Sequence, residues 1–191
     1  MKQFVRQLAL GSATLALVAL ATPAFAESPV NFDFGYQYLM HTGAGGNTNY
    51  PAGFNIDVAV AVSDAIRVVG EGSWSRDSSF RDVLNNNDVT LTATSYGGGL
   101  RWASHTEGIA SHLQLIAGIH HDSYSTGLGN AIDNTINGGN NKFMLQPGFG
   151  IVIPIAPAVG ILGQADYRRV FYDGNAEKNF YRFIAGIRIG R

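Results

Sequence analysis

His121-Asp122-Ser123 places an imidazole and a hydroxyl two residues apart. In an extended segment those two side chains share one face. A base beside a hydroxyl on one face is the arrangement that nucleophilic catalysis requires, and the reaction it suggests is ester hydrolysis. Such a pair needs a third group to orient the histidine. The only near candidate is Asp133, in the glycine- and asparagine-rich stretch that follows. The opposing reading makes His121 and Ser123 the polar residues at which a strand gives way to a loop. The other histidines are His41, His105, His112 and His120. Neighbouring residues of a strand point to opposite faces, so His120 and His121 cannot readily chelate one ion together. The chain has no cysteine, and no HExxH, CxxC or GxSxG motif, so the familiar zinc and hydrolase signatures are absent. No metal and no cofactor is expected.

A second set of chemically capable residues is charged and falls on alternate positions of extended segments. Its acids are Asp33, Asp57, Glu71 and Asp166, and its bases are Arg67, Arg101, Arg168, Arg182 and Arg188. These could line a polar conduit or supply a catalytic carboxylate pair. Alternatively they form a lattice of salt bridges inside a small barrel. Small barrels fill their interiors with side chains, and buried charges need partners to offset desolvation on the order of several kcal/mol per ion. The lattice is therefore the expected role. If the last strand closes on the first, Arg188 meets Asp33. Arg182 can reach Asp166 on the neighbouring strand, and Glu71 can bridge to Arg67 or Arg101.

The elements that must position these residues are strands. In Val30–Met40, Val30, Phe32, Phe34, Tyr36, Tyr38 and Met40 alternate with Asn31, Asp33, Gly35, Gln37 and Leu39. Period-two alternation means one greasy face and one wet face. The pattern recurs at Phe54–Val62, Ile66–Trp74, Val89–Trp102, His112–His121, Lys142–Ile153, Val159–Phe171 and Tyr181–Ile189, which predicts eight strands and no helix. A bulge is expected in the threonine run before Tyr96, and a bulge or twist at Pro147, because proline cannot donate to a ladder. The stretches 63–65 and 154–158 are tight and 103–111 is moderate, whereas 41–53, 75–88 and 123–141 are long and rich in Gly, Asn, Ser and Asp. Short turns at one end and long loops at the other mark an antiparallel barrel that crosses a bilayer. The expected fold is all-β, an eight-stranded antiparallel up-and-down transmembrane β-barrel.

Composition decides which face is outside. Only 14% of the chain is charged, too little for a water-facing barrel surface. Aromatics gather near strand ends, at Tyr36, Tyr38, Trp74, Trp102, Tyr167, Phe171 and Tyr181, as interfacial girdles require. The greasy face is thus read as outward. Gly72-Ser73-Trp74 spells the G-x-W of soluble, ligand-carrying barrels of the lipocalin kind, but it lies in the third strand rather than near the start. Residues 1–26 read as a cleaved signal peptide, with Lys2 and Arg6 before an apolar run and Ala24-Phe25-Ala26 as the cleavage site. The mature domain is then 27–191. Losing Lys2 and Arg6 takes the formal net charge from −1 to −3, which leaves no basic footprint for nucleic acid.

Leu145-Gln146-Pro147-Gly148-Phe149-Gly150, a short turn, and Ile161–Arg168 closing in Gln164-Ala165-Asp166-Tyr167-Arg168 carry a family likeness. Over 27–191 the chain resembles the small outer-membrane β-barrel proteins of the OmpA/OmpX-like kind. One departure is the end, Ile187-Arg188-Ile189-Gly190-Arg191, which lacks the terminal aromatic common in such barrels. The resemblance implies a monomer in the outer membrane with lipid and lipopolysaccharide around it. Its role would be non-enzymatic, in envelope integrity or in surface interaction through loops 41–53, 75–88 and 123–141. His121 and Ser123 are similar to the lipid-facing His-x-Ser pair of outer-membrane lipid A deacylases, in which Asn usually follows the Ser. Here Tyr124 stands in that place. A deacylase-like hydrolase and a soluble ligand-binding barrel are the alternatives.

Overall fold

The computed structural model describes residues 30–43, 46–81, 88–106, 108–125, 141–172 and 177–190. The expected signal peptide, Asp133 and most of the 123–141 loop lie outside the described residues. Nine strands follow one another: β1 (Val30–Gly43), β2 (Gly46–Tyr50), β3 (Ala52–Ala61), β4 (Ile66–Arg81), β5 (Asp88–Thr106), β6 (Ile109–Ser125), β7 (Asn141–Ala156), β8 (Val159–Phe171) and β9 (Glu177–Ile189). β2 and β3 both pair antiparallel with β1, each strand from β3 onward pairs antiparallel with the next, and β9 returns to pair with β1 through eleven residue pairs from Phe32↔Ile189 to Thr42↔Asn179.

The nine strands make eight staves, because β2 and β3 share one side of β1. Leu39 faces Tyr50 in β2 and Tyr36 faces Phe54 in β3. Three steps along β1 thus match four along its partner. The extra residue falls beside Pro51, which has no N–H for the ladder. The result is a closed eight-stranded antiparallel up-and-down barrel.

The strands run further than alternation alone indicates. β4 continues seven residues past Trp74, and β2 occupies part of the expected 41–53 loop. β5 and β6 pair up to Thr106↔Ile109, which reduces the expected 103–111 connection to a tight hairpin. Gly108, with φ +92°, supplies the left-handed position of that turn. No bulge forms at Pro147, since Leu145↔Arg169 and Gly148↔Asp166 are three residues apart on both strands. The irregularity expected in the threonine run falls instead between Asp77 and Phe80 of β4.

The faces segregate as the alternation requires. Phe32, Phe34, Tyr36, Leu113, Phe149 and Ile161 are about half exposed on the outside, while Asp33, Asp57, Arg101, Arg168 and Arg182 are buried inside. This inverts the greasy interior of a soluble ligand-carrying barrel. The interior is not uniformly polar, however. Leu39, Leu91, Met144, Val170 and Phe180 pack together inside, and Val152, Leu162 and Ile184 form a second apolar group.

Inward glycines leave room for this filling. A methyl group on Gly148 would collide with the Asp166 carboxylate, and one on Gly150 with the His112 ring. At Gly72 nothing lies within 4 Å of the added carbon. Gly148→Ala is expected to lower unfolding free energy by about 1–3 kcal/mol. Gly72→Ala should change it by less than about 0.5 kcal/mol. Urea titration of the barrel refolded in detergent micelles measures both.

Candidate functional site

Alternate residues of every stave converge in the lumen, and charged side chains among them meet there in three groups. In the first, Asp33 of β1 accepts from Arg188 Nε of β9 at 2.6 Å and from Arg101 Nη1 of β5 at 2.8 Å. Arg101 also donates to Asp57 of β3 at 3.0 Å and to Gln114 of β6 at 2.8 Å. In the second, Arg182 of β9 grips Glu71 of β4 with two bonds of 2.7 and 2.6 Å, and donates to Asp166 of β8 at 2.8 Å. Such two-pronged guanidinium–carboxylate contacts are the strong form of the bond. Gln114 links these two groups by donating to Asp166 at 3.3 Å.

Glu71 does not bridge to Arg67 or Arg101. It takes Arg182, and Arg168 stands 3.7 Å away. In register Glu71 lies between Asp57 and Gly97, so no neighbouring stave offers it a cation. Arg182 reaches it across the lumen instead. Arg67 is buried beside Arg101 at the turn end. The neutral members of the lattice, Gln37, Asn55, Gln114, Gln146 and Gln164, occupy the same inward positions, which is the signal that could have added them to the charged set.

Towards the loop end, Asp122 gathers a third group. It binds His120 Nε2 at 2.9 Å and Lys178 Nζ at 3.2 Å, and accepts from the Tyr172 hydroxyl. The ring of Phe180 lies 5.1 Å from that of His41 and 5.1 Å from that of His120.

His121 and Ser123 point outward, beyond Ile119 on the exposed face of β6. His121 Nδ1 bonds to Asn141 Oδ1 of β7 at 2.9 Å, and the two residues are register partners. An amide oxygen only accepts, so Nδ1 is the donor in this bond. The group that orients His121 is therefore an amide rather than a carboxylate. The nearest acid in sequence, Asp122, faces the lumen. No hydrogen bond joins Ser123 to His121.

No family model matches the chain, and no curated protein matches it. Solved structures do. Neisserial surface protein A is similar at 12% identity, over 87% of this chain and 100% of that one, with a TM-score of 0.65. The attachment invasion locus protein Ail of Yersinia pestis, solved with the heparin analogue sucrose octasulfate, is similar at 19% identity. That match covers 85% of this chain and 99% of Ail, with a TM-score of 0.58. The chain has the fold of the small outer-membrane β-barrels of the OmpA/OmpX-like kind. At these identities the likeness is one of architecture, and the side chains that fill the barrel are this chain's own.

Among those side chains, Arg182 answers two carboxylates at once. Arg182→Ala leaves Glu71 and Asp166 without their main cation, and removing one side of a buried pair costs about 3–5 kcal/mol. The variant is expected to lose its compact gel mobility at a lower temperature than wild type in a heating series. Gln164→Leu, which removes amide hydrogen bonds to Asp166 and His112 but leaves the Arg182–Asp166 ion pair in place, should shift that temperature less.

Proposed function

We propose that this chain is a monomeric integral protein of the outer membrane, without chemistry of its own. It would serve envelope integrity and hold its long loops out as a contact surface. The observation that carries this reading is strand length against the apolar belt. A strand needs about 9–11 residues to cross the bilayer, whereas β4, β5 and β6 have 16, 19 and 17. The surplus lies largely beyond the belt on the loop side, where β6 adds His121–Ser125. It makes a rigid stalk, and binding residues commonly sit in loops carried by a rigid scaffold. The likeness to Ail, which was solved with a heparin analogue bound, and to a neisserial surface protein supports an attachment role. A cleaved leader before Glu27 supplies the route of export, and the mature charge of −3 disfavours nucleic acid as a partner.

Fractionation tests this reading. The mature protein is expected in the outer-membrane fraction, starting at Glu27 and migrating faster on a gel before boiling than after. Recovery as a soluble periplasmic protein would refute it.

The His121–Asn141 bond favours one second reading, a hydrolase of outer-leaflet acyl esters with Ser123 as nucleophile and His121 Nε2 as base. Overexpression should then shorten lipid A by one acyl chain in its mass spectrum, and Ser123→Ala should abolish the change. An unaltered lipid A spectrum ends that reading.

A further inference from the structure

On four consecutive strands the outer face changes character in one two-residue step. Trp74 is followed by Arg76, Tyr96 by Thr94 and Thr92, Ile119 by His121 and Ser123, and Phe143 by Asn141. Register aligns these polar residues in two rows, the lower of which begins at Trp74 of the apolar belt. One row is Arg76↔Thr92↔Ser123, and the next is Trp74↔Thr94↔His121↔Asn141. A shelf of donors therefore stands directly over the apolar belt, at the depth where a bilayer presents its headgroups.

Arg76 is the cation of this shelf. It is exposed, its one hydrogen bond is a long 3.4 Å contact to Thr90, and no carboxylate pairs with it among the described residues. The acids adjacent in sequence, Asp77 and Asp122, are buried on the lumen side. The shelf thus carries a positive charge, hydroxyls and an imidazole, and no described acid. Asn141 maintains that balance, since it orients His121 without bringing a negative charge to the patch. Strands lie about 4.8 Å apart, so Arg76 and Ser123 are about 10 Å apart at the backbone, a gap one phosphorylated sugar can fill.

We infer that Arg76, Thr92, Thr94, Ser123 and His121 form a seat for the phosphorylated headgroup of an outer-leaflet glycolipid. Arg76 pairs with the phosphate, the hydroxyls and His121 bond to its oxygens and to the sugar, and the acyl chains run down over Tyr96, Ile119 and Phe143. Arginine suits this role because its planar fork matches phosphate oxygens. The inference rests on the outer-membrane reading above.

The test uses the full barrel purified in detergent, with folding checked by heat-modifiable migration. Retention of bisphosphorylated lipid A and of the same lipid after dephosphorylation is counted by native mass spectrometry. Wild type is expected to retain the phosphorylated form about tenfold better, the size of one charge-assisted bond. Arg76→Gln should remove that preference, and Asn141→Asp should weaken it by repulsion while preserving shape. Equal retention of both lipids by wild type, or an unchanged preference in Arg76→Gln, would overturn the seat. Complete displacement by an equal concentration of inorganic phosphate would overturn it as a glycolipid site. A barrel that migrates as folded yet shows no preference defeats this inference alone, whereas a soluble, non-modifiable protein defeats the outer-membrane reading beneath it.

Discussion

Closure of β9 on β1 is the constraint from which the rest follows. In hydrocarbon no water is present to bond a free N–H or C=O, so a sheet survives there only without edges. Eleven residue pairs across the β1–β9 seam remove the last two edges. Eight staves then fix a lumen too narrow to stay empty and wide enough for one layer of long side chains. Alternation does the remainder, since every residue that does not face lipid must find its place in that lumen.

The filling explains why long-armed polar residues predominate inside. Arg101 leaves β5 and holds partners on β1, β3 and β6. Arg182 leaves β9 and holds partners on β1, β3, β4 and β8. Each guanidinium thereby ties together staves far apart in sequence, which its five donors make possible. A buried ion pair is weak evidence for net stability, because desolvation offsets much of the attraction. What the geometry provides is selectivity. A one-residue slip of a stave that carries an inward carboxylate or guanidinium would turn that charge into lipid, so the lattice penalises such slips.

The same geometry sets what could be read from the chain. Face assignments were legible because period two is local, and Asp33, Glu71 and Arg182 all follow from it. Asp33 beside Arg188 and Asp166 beside Arg182 were legible because both are register partners on adjacent staves. Glu71 with Arg182 was not, because that contact crosses the lumen and depends on barrel diameter and stagger, which no single strand encodes. The inner apolar packing of Leu39, Met144 and Phe180 was also hidden, since an inward apolar residue looks like a break in alternation. Strand ends were obscured for a different reason. Ser, Thr and Asn read as loop by composition, yet above the belt a ladder continues in water with any residue that can pair. Pro147 misled in the opposite sense, because the lost hydrogen bond at one position did not require an inserted residue.

Where the belt ends, the residue opposite His121 decides what the outer face is suited to do. In a serine–histidine pair the third group both orients the ring and stabilises the imidazolium that forms when the base takes a proton. Asn141 performs the first task and not the second, since an amide carries no charge to offset the cation. For turnover that is a weakness. For holding an anion it is an advantage, because a carboxylate at 141 would set a negative charge beside the phosphate of the proposed seat. An uncharged partner for His121 thus fits the proposed glycolipid seat, while the hydrolase reading requires the imidazolium to form without a carboxylate beside it.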